Sequence, residues 1–311
     1  MTGFRIAFFG LPLAACLLSE DGHEVCLAVL APIEGPPGRR RLRRKIGAER
    51  VVEAATAGDA LESIVDEHLS KCRPDLLVSW FWTRKLPVAW LKRARLGGVG
   101  VHPSLLPRHR GPDPYFWAID SGDVVSGVTL HQLTPEYDDG HVLLQATLAT
   151  EGRNAWQLAR ALDRPSLRVL REGVSRMAGR RSLTPTPQRP EQATWAPNPE
   201  GPLLRVIWSW PTERVLRRIR ALSPQPGLAL ELAGVRLFVT AAEETSEFPR
   251  ALEPGEAGVE GAPPFRAVIR TGDGAIAVTR AVPAEGEDPL RVELDAGAIA
   301  AIVDSSRAAR C

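Results

Sequence analysis

Apolar and polar positions follow two different rhythms along this chain. The first half shows short, continuous apolar runs separated by stretches of helical periodicity. Residues 5–9 (RIAFF) form a buried-strand run that stops at Gly10, and residues 12–18 open a helix. Residues 23–30 (HEVCLAVL) make a second strand, 75–79 (DLLVS) a third and 98–102 (GVGVH) a fourth. Between the second and third, residues 59–70 place Leu61, Ile64, Val65 and Leu69 on one helical face. Strands alternating with helices predict a Rossmann-like, doubly wound and mostly parallel sheet, and such sheets bind ligands at the carboxyl ends of their strands. His102 stands at one of those ends.

Residues 127–133 (GVTLHQL) and 142–148 alternate as further strands. Residues 155–177 read as a long amphipathic helix marked by Leu158, Leu162, Leu167 and Leu170. The texture then changes. Pro185, Pro187, Pro190, Pro197, Pro199 and Pro202 fall within nineteen residues, the composition of a linker. Beyond it come a helix at 211–222 and two hairpins, 228–232 with 235–241 around Ala233-Gly234, and 265–271 with 275–279 around Gly272-Asp273-Gly274. The expected organisation is a catalytic domain over 1–183, a proline-rich linker over 184–203 and a small β-barrel-like domain over 204–311.

Composition narrows the picture only slightly. The 311 residues carry a formal net charge of +2 and no apolar run long enough to span a membrane, and residues 1–10 lack a signal-peptide pattern, so a cytoplasmic protein is expected. Cys16, Cys26, Cys72 and Cys311 show no Cys-x-x-Cys pair, and the histidines lack metal-ligand spacing; no metal is expected. Glycines after the first strand do not form a dinucleotide fingerprint. The run Arg39, Arg40, Arg41, Leu42, Arg43, Arg44, Lys45 is either a solvated face or a contact for RNA or other phosphates. Trp80, Phe81 and Trp82 follow the third strand, where they either complete the core or wall a pocket for a flat ring.

The densest chemistry lies in 101–111 (VHPSLLPRHRG) and 127–142 (GVTLHQLTPEYDDGHV). With Trp117-Ala118-Ile119 and Gly122-Asp123 between them, this run strongly resembles the formyltetrahydrofolate-dependent formyltransferases. That family includes the methionyl-tRNA, glycinamide-ribonucleotide and amino-sugar enzymes. Pro187-Gln188 and Ala193-Thr194-Trp195 are similar to the end of the family's first domain, and residues 219–227 (IRALSPQPG) to the start of its C-terminal domain. The resemblance implies a Rossmann-like domain followed by an OB-like one. It implies transfer of a formyl group from 10-formyltetrahydrofolate to an amine, with His102 and Asp138 at the reaction centre. It further implies a folate resting against Trp80, Phe81, Trp82 and Leu86 and against Asp139, Gly140 and His141, with Ser104, Arg110 and Gly111 toward the acceptor.

One position departs from the family. Its asparagine two residues before the histidine is replaced here by Gly100, and removing one preorganised oxyanion donor costs about 100- to 1000-fold in rate. Three outcomes follow: a formyltransferase completed in another way, redirected chemistry, or a folate- or RNA-binding homologue. A glycine is expected to leave room beside the reacting carbon. The expected acceptor is a specialised small-molecule or carrier-bound amine, with methionyl-tRNA, reached through the basic run, as the alternative.

Overall fold

The computed structural model describes residues 3–33, 35–179, 183–260, 265–284 and 293–308. The chain divides into two compact units. The first holds residues 1–114, 125–149 and 161–196, and the second 115–124, 150–160 and 197–311. Cys311 lies outside the described residues.

The first unit begins β1 (Arg5–Gly10), α1 (Pro12–Glu20), β2 (Glu24–Leu30), α2 (Arg39–Ile46), β3 (Val51–Glu53), α3 (Ala54–Ala57), α4 (Leu61–Cys72) and β4 (Leu76–Trp80). It continues with α5 (Val88–Leu91) and β5 (Gly98–His102). After α6 (Pro114–Asp120), which from residue 115 on belongs to the second unit, come β6 (Val125–Gln132), β7 (Val142–Ala149) and α7 (Ala155–Ala178), whose residues from 161 on return to the first unit. The sheet runs β3-β2-β1-β4-β5-β6-β7. Its first five strands are parallel, whereas β6 and β7 are antiparallel. The apolar runs behave as continuous hydrophobicity demands: β1, β2 and β4 are buried on both faces, the condition of a parallel sheet covered by helices. On one side Phe9, Leu27, Val29 and Leu77 pack against Val65, Leu69 and Trp90. The strand order reverses between β1 and β4, so a crevice is expected at the carboxyl ends of those strands. β5, ending at His102, is the next neighbour of β4.

The second unit contains α8 (Thr212–Leu222), β8 (Leu228–Leu232), β9 (Val235–Thr245), β10 (Ala257–Glu260), β11 (Arg266–Arg270), β12 (Ala275–Pro283), β13 (Leu294–Asp295) and α9 (Ala296–Ala308). Its antiparallel sheet has the order β10-β11-β12-β9-β8, with β13 on β12. Ala233 and Gly234 both adopt positive φ, 53° and 81°, the paired left-handed turn that matches hairpin twist. Asp273 accepts from the backbone N–H and hydroxyl of Thr212, capping α8 at 2.8 and 2.9 Å.

β3, β10, β13, α6 and α9 escaped the pattern because each is short, small-residue-rich or opened by proline. The basic run forms the helix α2, and no helix among the described residues is long and apolar enough to cross a membrane.

Candidate functional site

β5 alternates its side chains so that positions 100 and 102 share one face, and antiparallel pairing sets Gly100 opposite His131 and His102 opposite Thr129. His102 is buried. Its Nε2 lies 2.7 Å from the carbonyl oxygen of His109. A carbonyl only accepts, so Nε2 carries the proton and Nδ1 is the bare nitrogen of the neutral ring. That Nδ1 stands 3.5 Å from Oδ2 of Asp138. The backbone carbonyl, and not the carboxylate, therefore sets the tautomer.

Asp138 sits at φ 54°, a conformation that aspartate tolerates better than most residues, in the loop after β6. Its Oδ2 accepts the Gly111 N–H at 2.9 Å. The loop is fixed by a side chain from the proline-rich stretch. Gln188 donates through Nε2 to the carbonyls of Asp138 and Gly140 at 2.8 and 2.7 Å, while its Oε1 accepts from Arg110 at 2.7 and 3.1 Å. Arg110 also pairs with Asp139 at 2.5 Å. At Gly140 an added Cβ would lie 1.9 Å from the carbonyl oxygen of Gln132, so the close approach of the loop to β6 requires glycine.

The stretch expected to be a linker is thus, over residues 186–196, part of the wall. Thr186 bridges Val142, Thr194 bonds Pro107, His109 and Arg110, and Ala196 bonds Arg110 and Asp113. It carries Trp195 to within 6.4 Å of Tyr137, centroid to centroid, both rings more than two-fifths exposed. Lys85 lies 4.9 Å over the Tyr137 ring.

A second imidazole, missed from the sequence, faces the same carboxylate. His131 Nε2 is 3.7 Å from Asp138 Oδ1, and its Nδ1–H donates to its neighbour's carbonyl, Gln132, at 2.9 Å. Burial pushes the ring down to about 4, against the pull of Asp138, so it is neutral near pH 7 with Nε2 as acceptor.

The room expected at Gly100 is already filled. A Cβ there would meet Leu133 Cδ2 at 2.8 Å and His131 Nε2 at 3.4 Å. The aromatic triplet divides. Trp80 is core, its indole N–H donating to Ser166 at 3.0 Å. Trp82 and Leu86 pack on the cluster around Phe9. Phe81, at φ 55° and 37% exposed, is the one turned outward at the end of β4. A bulky residue held in that conformation costs about 1–3 kcal/mol, a strain that gathers at functional sites. The Trp82 indole N–H is buried without an acceptor among the described residues. Ser104 is buried and spends its hydroxyl on the Arg108 carbonyl at 2.6 Å, and His141 is exposed. In α2, Arg39 and Arg43 pair with Glu53, and Arg41 and Lys45 with Glu20; Arg40 and Arg44 form no ion pair among the described residues.

An imidazole and a carboxylate thus stand near the strand ends of a doubly wound sheet, with a small antiparallel domain after it in the sequence. Residues 8–163 match the formyl transferase family and residues 203–293 match its C-terminal domain, and the chain belongs to that family and is a formyltransferase. It is 35% identical over 302 residues to the methionyl-tRNA formyltransferase of Anaeromyxobacter dehalogenans (strain 2CP-C), covering 94% of this chain and 95% of the relative. The methionyl-tRNA formyltransferase of Ralstonia nicotianae is 33% identical, over 87% of this chain and 83% of that one. Among solved structures, HypX from Aquifex aeolicus in complex with tetrahydrofolic acid superposes with a TM-score of 0.64 at 25% identity over 94% of this chain. This chain spans 46% of HypX. An N-formyltransferase from Helicobacter canadensis, solved with folinic acid and dTDP-3-aminofucose, shares the fold at TM-score 0.64 and 14% identity, over 88% of this chain and 98% of that one.

Proposed function

We propose that this enzyme moves a formyl group from 10-formyltetrahydrofolate to an amine, with His102 and Asp138 handling the proton. The observation that carries this is the bare Nδ1 of His102, oriented by the His109 carbonyl and set 3.5 Å from Asp138. The amine nitrogen bonds to the formyl carbon and loses a proton to Nδ1. The ring then has an acceptor for each N–H, His109 for one and Asp138 for the other, which stabilises the imidazolium. The carbon–N10 bond breaks, and the proton goes to the departing nitrogen.

The bound tetrahydrofolate of HypX supports the choice of donor. So does the Trp82 N–H, buried without an acceptor among the described residues, which an acceptor-rich pterin ring would satisfy. The loop of Asp139, Gly140 and His141 and the outward Phe81 are the folate's expected surroundings, with Arg110, Gly111 and Ser104 toward the acceptor.

For the acceptor we favour a specialised small-molecule or carrier-bound amine. Four of the six basic side chains in α2 are engaged by two carboxylates, Glu20 and Glu53, which offset part of the charge and so weaken that helix as a grip on phosphates. The second reading, methionyl-tRNA, is favoured by full-length relatives of that activity. The deciding experiment offers 10-formyltetrahydrofolate with methionyl-tRNA, a nucleotide-linked amino sugar and a carrier-bound aminoacyl group, and weighs the products. An acceptor that gains one CO identifies the class. Formylation of methionyl-tRNA alone replaces the first reading with the second. No product with any amine, in protein that binds tetrahydrofolate, overturns both.

A further inference from the structure

We propose that His131 is a positioning residue of the reaction centre, holding Asp138 from the neighbouring strand and filling the patch that a side chain at position 100 would otherwise occupy. The inference rests on the formyl-transfer reading above. It starts from register. Gly100 and His131 are direct cross-strand partners, so a side chain at either position occupies the same patch of the face that carries His102. The patch holds one polar head, and here it comes from β6: the Cβ direction of Gly100 ends 3.4 Å from His131 Nε2. Leu133, whose Cδ2 lies 2.8 Å from that direction, closes the rest.

Proton placement says what the ring does. Both imidazoles spend their obligatory N–H on a backbone carbonyl, His102 on His109 and His131 on Gln132. Both turn the opposite nitrogen to Asp138, one to each carboxylate oxygen. With the cluster free of extra protons, two lone pairs face one anion, and the distances of 3.5 and 3.7 Å are longer than hydrogen bonds. One added proton closes either gap. When the proton taken from the amine rests on His102 Nδ1, Asp138 Oδ2 accepts it. When it rests on Oδ1, His131 Nε2 accepts it. The carboxyl is therefore held between two rings in either state, and the proton passes from amine to leaving nitrogen without being lost to solvent. The charged and titratable groups facing His131 are Asp138 and, farther out, Arg110 with its partner Asp139 from the loops, and His102 from β5.

The test is a double-substitution cycle on the full chain. His131→Ala should lower kcat for formyl transfer by about 100-fold, the scale of a misplaced catalytic group, with KM for 10-formyltetrahydrofolate within threefold. Gly100→Asn alone should lower activity, because it crowds Leu133 and His131. Gly100→Asn added to His131→Ala should restore at least tenfold, because the vacated patch accepts the amide. His131→Ala within threefold of wild type, or a double variant no better than His131→Ala, overturns the proposal. Should the wild type transfer no formyl group at all, nitrogen NMR of the imidazoles decides independently. The His131 ring should hold its proton on Nδ1, and the titration of His102 should move in His131→Ala. An unmoved His102 curve refutes the role of His131 whatever the reaction proves to be.

Discussion

Two carboxylates, the buried Asp120 and the half-buried Asp138, sit in the two units of this molecule, and they are held in opposite ways. In the second unit Asp120 receives Arg214 and Arg218 on both oxygens, at 2.6 to 3.0 Å, and its carbonyl takes Arg214 as well. Arg218 gives its remaining donors to Leu203 and Arg205, and Trp210 lies under both guanidiniums. Burial raises the Asp120 carboxyl, yet the two arginines hold it below its ordinary value. Every acceptor site of that group is spent. Asp138, in the first unit, has one short hydrogen bond from Gly111 and two imidazoles just out of hydrogen-bonding range. A saturated carboxylate stabilises a fold and has nothing left for chemistry. An under-coordinated one is where a proton can arrive.

The comparison breaks most visibly at Asp120. Asp120→Ala leaves Arg218 buried and uncompensated, so unfolding in urea should show a loss of about 3–5 kcal/mol. Asp138→Asn should cost far less stability, since few of its contacts depend on charge. Equal losses would mean that the two sites are built alike.

The next effect is a pH dependence. His131 titrates at about 4 when folded against 6.5 ordinarily. Below 6.5 the unfolded chain takes up a proton that the folded one refuses until about 4, so stability is full above that window and falls as pH drops through it. The share of His131 is about 3 kcal/mol. His23, also lowered by burial, adds loss of the same sign. In His131→Asn the slope between pH 6.5 and 4 should flatten, leaving the smaller part from His23; an unchanged slope refutes the buried neutral ring.

Much of this was legible in the chain. The runs at β1, β2, β4 and β5 announce themselves because two-sided burial leaves few polar residues to interrupt them. His102 and Asp138 were marked by motif. His131 was not, although it lies in the same motif, because alternation shows which residues share a face of β6 but not which residue of β5 lies opposite. Nor was the role of residues 186–196, since proline density marks irregular backbone without saying whether it is tethered. Gly100 misled in the same way: an absent side chain reads as empty space until the neighbouring strand is placed.

Gln188 sharpens the site further. Gln188→Ala removes the donor to two loop carbonyls and the acceptor of Arg110, and should cost about 1–2 kcal/mol of stability. It should also raise KM for folate, as the loop of Asp138 loosens. Stability lost with KM unchanged would place the loop away from the donor. The smallest effect belongs to α2. If an RNA is the acceptor, replacing Arg40 and Arg44 by Gln should reduce the salt-dependence slope of tRNA binding by about 1 to 2, the number of phosphate contacts removed.

The central claim is that His102 and Asp138 carry the proton in formyl transfer. Its most direct test is a single-turnover reaction with 10-formyltetrahydrofolate labelled in the formyl carbon, run across pH for wild type, His102→Ala and Asp138→Asn. Label should appear in the amide product of the wild type, with the rate about 100- to 10,000-fold lower in either variant while tetrahydrofolate binding is retained. Transfer at wild-type rate by either variant would contradict the assignment.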